Sequence, residues 1–137
     1  MILVDTGPLV ALFDPRDAEH AGCRTILQRL RERLVTTLPV LTEAFHMLGP
    51  GRRGARNLRS FIQQGGLSLW FMEAPSVQRA FELMEQYADH PMDFADASLL
   101  VAAETLPAYH IFTIDRQDFA TYRVRRGHRL EALQMVS

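Results

Sequence analysis

The chain has 137 residues, an apolar fraction of 47%, a charged fraction of 23% and a formal net charge of −1. These values predict one globular domain over residues 1–137 and exclude the global basic field that marks a general nucleic-acid binder. All fifteen basic side chains are arginine and Cys23 is the only cysteine, which excludes a lysine-dependent P-loop, Schiff-base catalysis, an intrachain disulfide and a thiolate zinc cluster.

Short apolar, β-branched-rich runs alternate with helical patterns along the chain. The runs predict strands at residues 2–4, 34–37, 67–71 and 110–114. Apolar residues at helical spacing predict helices at residues 6–13, 17–33, 39–48, 51–66, 76–89 and 93–106. The tail, residues 122–136, is a candidate for a last edge strand. This alternation predicts a three-layer α/β/α fold with a central, mainly parallel sheet of four to five strands.

Residues that favour helix starts set the expected boundaries. Thr6 is the expected cap of helix 6–13, Ser76 of helix 76–89 and Asp93 of helix 93–106. No apolar stretch approaches the length of a membrane span, and Asp5 interrupts the short apolar run at the N-terminus. We therefore expect a cytoplasmic protein with no membrane partner.

Four acidic residues occupy positions where an open parallel sheet places its ligands. Asp5 ends the first strand, Glu43 lies one turn into the helix after the second strand, Asp96 lies in the first turn of its helix, and Asp115 ends the fourth strand. The carboxyl ends of parallel strands and the helix starts that follow them share one edge of the sheet. Individually, Asp5 also suits a turn, and Glu43 also suits the exposed side of its helix.

Carboxylates gathered at that edge would repel one another unless a cation lay between them. Oxygen ligands without a cysteine or histidine cluster suit Mg²⁺ or Mn²⁺. Such a site can activate water and stabilise charge on a phosphodiester, and it needs no lysine, cysteine or histidine. The pair Glu43 and His46 matches half of a di-iron motif, but the chain has no second Glu-x-x-His pair, which excludes that site.

Arginines are numerous on two predicted helices. Those on helix 17–33 are expected to form a solvated face. Arg52, Arg56 and Arg59 are spaced to share one face of helix 51–66. A solvated face is the ordinary interpretation for them too, but they are the first candidates for phosphate contacts if the protein handles nucleic acid.

Four parts of the sequence belong together: residues 2–9 (ILVDTGPL), Glu43 after the second strand, residues 87–97 (YADHPMDFADA) and residues 113–119 (TIDRQDF). In this order and spacing they resemble the PIN-domain ribonucleases, of the kind that serve as toxins in VapBC toxin–antitoxin pairs. The resemblance implies a PIN-like fold, cleavage of single-stranded RNA with a carboxylate-bound Mg²⁺ or Mn²⁺, homodimerisation, and inhibition by a cognate antitoxin.

The same resemblance assigns roles to individual residues. Asp5 and Asp96 match the strongest metal ligands and catalytic residues, and Glu43 and Asp115 complete the catalytic and metal-binding set, directly or through water. Asp93 and Asp118 are secondary acids, which also suit a helix cap and a turn. The hydroxyls of Thr6 and Thr113 are candidates for orienting the carboxylates.

Two other Mg²⁺-dependent α/β families do not match. Haloacid-dehalogenase-like phosphotransferases require a second aspartate two residues after the first, where this chain has Gly7, and a lysine that it lacks. Response-regulator receivers fail on the same requirements. Two alternatives stay open: a PIN-type RNA-processing nuclease outside any toxin pair, and a catalytically silent PIN-like binding module.

Overall fold

Seven strands and seven helices make up the structure, a computed structural model that describes residues 1–137. The strands are β1 (Ile2–Val4), β2 (Leu34–Thr37), β3 (Ser68–Trp70), β4 (His110–Phe112), β5 (Val124–Arg126), β6 (Arg129–Glu131) and β7 (Gln134–Met135). The helices are α1 (Thr6–Phe13), α2 (His20–Arg29), α3 (Leu38–Leu48), α4 (Arg53–Gln63), α5 (Ala74–Gln86), α6 (Phe94–Thr105) and α7 (Arg116–Thr121). None of the helices is long and apolar enough to cross a membrane.

Five of the strands form one parallel sheet in the order β3-β2-β1-β4-β7, flanked by helices. This is the three-layer α/β/α fold predicted from the alternation of strands and helices, which is confirmed. The tail supplies the edge strand β7, as predicted, after an antiparallel β5–β6 hairpin that stands outside the sheet. Because β1 lies at the centre between β2 and β4, Asp5 lies at the middle of the carboxyl edge.

Several predicted boundaries are wrong. Helix 17–33 is shorter, as α2, because the side chains of Asp14 and Asp17 accept hydrogen bonds from the backbone N–H groups of Arg16 and Glu19 and hold that segment in turns. At the other end Leu30 is extended. Helix 51–66 is shorter at both ends, whereas helix 76–89 both begins and ends earlier, as α5. Strand 67–71 loses a residue at each end to loops, and strand 110–114 ends at Phe112.

Two predicted caps are also wrong, and one is confirmed. Asp5, and not Thr6, caps α1, because its carboxylate accepts from the Thr6 N–H while Thr6 is the first helical residue. Helix α5 begins at Ala74, so Ser76 lies inside its first turn. Asp93 caps α6 and accepts from the backbone N–H of Asp96, as predicted.

Helix α6, which carries Asp96 at the carboxyl edge of the sheet, is anchored in the hydrophobic core. Eight of its twelve residues are buried, and all of them except Ser98 belong to a hydrophobic cluster of 34 residues. The hydroxyls of Thr37 on β2 and Ser98 on α6 are 2.6 Å apart and fully buried, which ties the helix to the sheet. The guanidinium of Arg79 on α5 forms two hydrogen bonds, 2.8 and 3.0 Å long, with the carboxylate of Glu104. These contacts fix the start of α6 relative to β1.

Candidate active site

A cleft of about 920 Å³ opens at the carboxyl edge of the sheet, and all four acids predicted from the sequence line it. Asp5 follows β1, Glu43 lies on α3, Asp96 lies in the first turn of α6 and Asp115 follows β4. Parallel pairing of β1 with β2 and β4 brings these four separate segments to the same edge. The convergence predicted from the topology is therefore present.

The cleft carries a high density of negative charge. Eight of its fifteen lining residues are acidic, half of the sixteen in the chain, and no arginine or histidine lines it. The additional four are Asp17, Glu19, Asp93 and Asp118. Carboxylates at this density repel one another unless protons or a cation lie among them.

Asp5 is the most enclosed of the acids. Its side chain is 8% exposed and accepts two hydrogen bonds of 2.8 Å, from the backbone N–H of Thr6 and from the hydroxyl of Thr113. Burial raises its pKa to about 6; these two hydrogen bonds oppose the rise, and the charges of Asp93 and Asp115 add to it. No basic side chain offsets the charge, so ionised Asp5 is held at a cost in free energy.

The pKa of Asp96 is raised further than that of Asp5. Burial is the main cause that raises its pKa to about 8, followed by the negative charges of Asp93, Asp5 and Asp118. The hydroxyl of Tyr122 lies 3.4 Å from Asp96 Oδ2, at the long end of hydrogen bonding, and equally far from the carbonyl oxygen of Pro91. Tyr122 is itself buried.

Asp115 and Asp118 form a pair on the other side of the cleft. The interaction between their carboxyl groups is the main cause that raises the pKa of Asp115 and lowers that of Asp118. The backbone N–H of Asp115 donates to the hydroxyl of Thr113 at 3.0 Å. Thr113 therefore links the end of β4 to Asp5, because the same hydroxyl donates to Asp5.

Glu43 lies on the exposed side of α3 but is still oriented. The hydroxyl of Thr6 donates to its Oε1 at 3.0 Å. Both threonines singled out from the sequence thus contact an acid of the cleft: Thr6 contacts Glu43, and Thr113 contacts Asp5.

The donor set fits a hard divalent cation. The lining offers carboxylate and hydroxyl oxygens and no sulfur or imidazole, the set that Mg²⁺ and Mn²⁺ prefer. A cation would also offset the charge of two acids, Asp5 and Asp96, that burial disfavours. No three His, Cys, Asp or Glu side chains are arranged to hold a metal ion as they stand, so binding requires rotation of some of these side chains. Glu43 and Asp115 are exposed and can rotate.

The arginines of helix α4 form the solvated face that is their ordinary interpretation. Arg52, Arg56 and Arg59 are exposed, on or next to α4, and none of them lines the cleft. Two further acids of the cleft lining, Asp17 and Glu19, are not predicted from the sequence. The sequence pattern places them in a regular helix, whereas in the structure they lie in the turn before α2.

The strand order and the acid-lined carboxyl edge together identify the family of α/β/α domains to which the chain belongs. The sequence matches the model of the PIN domain over residues 2–124, and the chain belongs to that family, which confirms the resemblance stated from its four stretches.

Individual relatives agree with this assignment. The chain is 24% identical over 135 residues to Ribonuclease VapC26 of Mycobacterium tuberculosis, covering 96% of this chain and 99% of that protein. Its structure resembles M. tuberculosis VapC20, a toxin that cleaves the sarcin–ricin loop, with a TM-score of 0.77, 20% identity, and coverage of 84% of this chain and 90% of that one.

Two further structures show the same fold. One is FitAcB from Neisseria gonorrhoeae, with a TM-score of 0.62 and 18% identity, covering 88% of this chain and 91% of that one. The other is VapBC2 from Rickettsia felis, bound to a DNA fragment from its promoter, with a TM-score of 0.60 and 12% identity, covering 85% and 90%.

Proposed function

We propose that the chain is a divalent-metal-dependent endoribonuclease that cleaves single-stranded RNA and acts as the toxin of a toxin–antitoxin pair. The observation that carries the proposal is the cleft at the carboxyl edge, where eight acids and no basic residue converge. Membership of the PIN family and the ribonuclease name of the relative from M. tuberculosis support the same reaction class.

The four predicted acids have distinct tasks in this proposal. Asp5 and Asp96 hold the ion, and Glu43 and Asp115 complete its coordination directly or through water. When bound, Mg²⁺ or Mn²⁺ supplies an activated water and positive charge at the scissile phosphodiester. Thr113 orients the buried Asp5 carboxylate, and Thr6 donates to the exposed Glu43 carboxylate, by the hydrogen bonds described above.

A cleavage assay on a fluorogenic single-stranded RNA tests the reaction. We expect cleavage with Mg²⁺ or Mn²⁺, none with a chelator, and loss of at least about a hundredfold in Asp5→Asn and Asp96→Asn, because each loses an ionised metal ligand. Asp89→Asn is the matched control, since Asp89 is an exposed acid outside the cleft lining. Full activity in either cleft variant would falsify the assignment of these ligands.

The toxin role and the partners need separate tests. The structural relatives include a VapBC complex and FitAcB, which support our proposal of a cognate antitoxin for this chain. The resemblance to PIN-domain toxins also implies a homodimer, which we propose with it. Expression of the wild type should arrest bacterial growth, Asp5→Asn should not, and co-expression of a small DNA-binding protein encoded next to the gene should relieve the arrest. Light scattering of the purified chain gives the oligomeric state.

Cleavage without growth arrest and without such a neighbour would instead indicate an RNA-processing nuclease. Metal binding without cleavage would indicate a catalytically silent module.

A further inference from the structure

His90 contacts the acidic pair from outside the cleft. It follows α5 and directly precedes Pro91, and its Nε2 lies 2.6 Å from Asp118 Oδ1. The imidazole is 43% exposed and the Asp118 side chain 28% exposed, so the contact lies at the surface of the cleft wall. A neutral ring with its proton on Nε2 is enough to donate this hydrogen bond.

The ring of His90 is held in place by aromatic packing. It meets the ring of Tyr122 edge to face, with centroids 5.7 Å apart and an interplanar angle of 82°. Tyr122 is buried and also packs edge to face on Tyr87 and Phe119, at 5.2 and 5.4 Å. Because Tyr122 directly follows α7 and Phe119 lies on it, this packing fixes the imidazole relative to the helix that carries Asp118.

Asp118, the acid that His90 contacts, lies next to the candidate metal ligand Asp115 at the start of α7. Asp115 immediately precedes α7 and Asp118 lies in the first turn of that helix, and both line the cleft. A carboxylate with one oxygen engaged by a donor loses freedom to rotate, and groups that contact a metal ligand's partner commonly set the ligand's orientation. His90 is the one basic side chain that bonds directly to an acid of the cleft lining and belongs to a different segment of the fold.

We propose that His90 is a positioning residue of the metal site: by donating to Asp118 Oδ1 it fixes the Asp118 carboxylate against Asp115 and so pre-forms that side of the cleft for a divalent cation. The proposal rests on the proposed metal-dependent function. It differs from a general stabilising role because it predicts an effect on metal affinity that exceeds the effect on folding.

Calorimetric titration of Mn²⁺ into the purified chain tests this directly. His90→Leu removes the donor and keeps an apolar side chain against Tyr122, and its Kd for Mn²⁺ should rise about tenfold. His90→Gln places an amide N–H where Nε2 stood, and its Kd should stay within about threefold of the wild type. His128→Leu is the matched control, since His128 is an exposed histidine in the β5–β6 turn and does not line the cleft; its Kd should not change.

Thermal melts of the same variants separate positioning from stability. A His90→Leu variant that melts lower but binds Mn²⁺ as the wild type does would overturn the proposal, and so would a His90→Gln variant as weak as His90→Leu. These outcomes would leave the proposed function intact. No Mn²⁺ binding by the wild type would instead remove the metal site itself, and this inference with it.

Discussion

Replacing Asp5 with asparagine should stabilise the metal-free protein while it abolishes the proposed activity. The substitution removes a charge that is 8% exposed, has no basic partner and has a pKa raised to about 6 from an ordinary value of 3.8. A difference of about two pKa units corresponds to about 3 kcal/mol of unfavourable free energy for the ionised form in the folded state.

The hydrogen bonds of Asp5 reduce that gain. Its two oxygens accept from Thr6 and Thr113, whereas asparagine has one acceptor oxygen, so one donor must find another partner at a cost of about 1 kcal/mol. The net stabilisation expected for Asp5→Asn is therefore about 2 kcal/mol where Asp5 is ionised. This is unusual, because most substitutions at buried positions destabilise.

The difference in stability between the wild type and Asp5→Asn should depend on pH. Because the folded-state pKa of Asp5 is raised, the folded chain binds more protons than the unfolded chain between about pH 4 and pH 6, and its stability falls as pH rises through that window. Asparagine does not titrate, so the variant should be about 1 kcal/mol less stable than the wild type at about pH 4, through its lost hydrogen bond, and about 2 kcal/mol more stable above about pH 7. The raised pKa of Asp96, about 8, extends the fall of stability of the wild type to higher pH, and this fall should be smaller in the variant because the charge of Asp5 is one cause of the rise.

Urea unfolding in a chelating buffer, followed by circular dichroism at several pH values, measures this difference. Asp89→Asn is again the control, because an exposed acid outside the cleft should change stability by less than about 0.5 kcal/mol at every pH. Adding Mg²⁺ or Mn²⁺ should then raise the stability of the wild type more than that of Asp5→Asn. An ion that binds the native state stabilises it, and the variant lacks one of the proposed ligands. An Asp5→Asn variant that is less stable than the wild type above about pH 7 in chelator would refute the reasoning that burial strains this carboxylate.

Three substitutions away from the cleft test the packing that positions it, each measured by urea unfolding. Glu104→Gln should cost about 2 kcal/mol, because it removes the buried partner charge of the Arg79 guanidinium and leaves only the exposed Glu82 as its ion-pair partner; an unchanged midpoint would show that the buried pair contributes nothing. Gly54→Ala should cost about 1–3 kcal/mol, because the added Cβ would lie 2.5 Å from the carbonyl oxygen of Phe13, a backbone atom that cannot turn aside. Leu99→Ala, at a fully buried position of α6, should cost about 2–5 kcal/mol through the cavity it leaves, and a smaller loss would mean that the core collapses around it.

The sequence alone determined the class of fold and predicted four of the acids that line the cleft. Hydrophobic periodicity and cap residues depend on neighbours along the chain, so they predicted the alternation of strands and helices and the Asp93 cap. Given parallel strands, the positions of Asp5, Asp96 and Asp115 after strand ends or at a helix start were enough to place them at one edge.

Only the tertiary structure decided how those acids are held. The bond from His90 to Asp118 and the contact between Tyr122 and Asp96 join segments that no local pattern relates. The raised pKa of Asp5 follows from its burial beneath neighbouring elements, and the turn that brings Asp17 to the cleft replaces a predicted helix. The physical reason is common to all of these: local propensity sets which element a residue joins, whereas burial and long-range hydrogen bonds depend on which elements the fold places side by side.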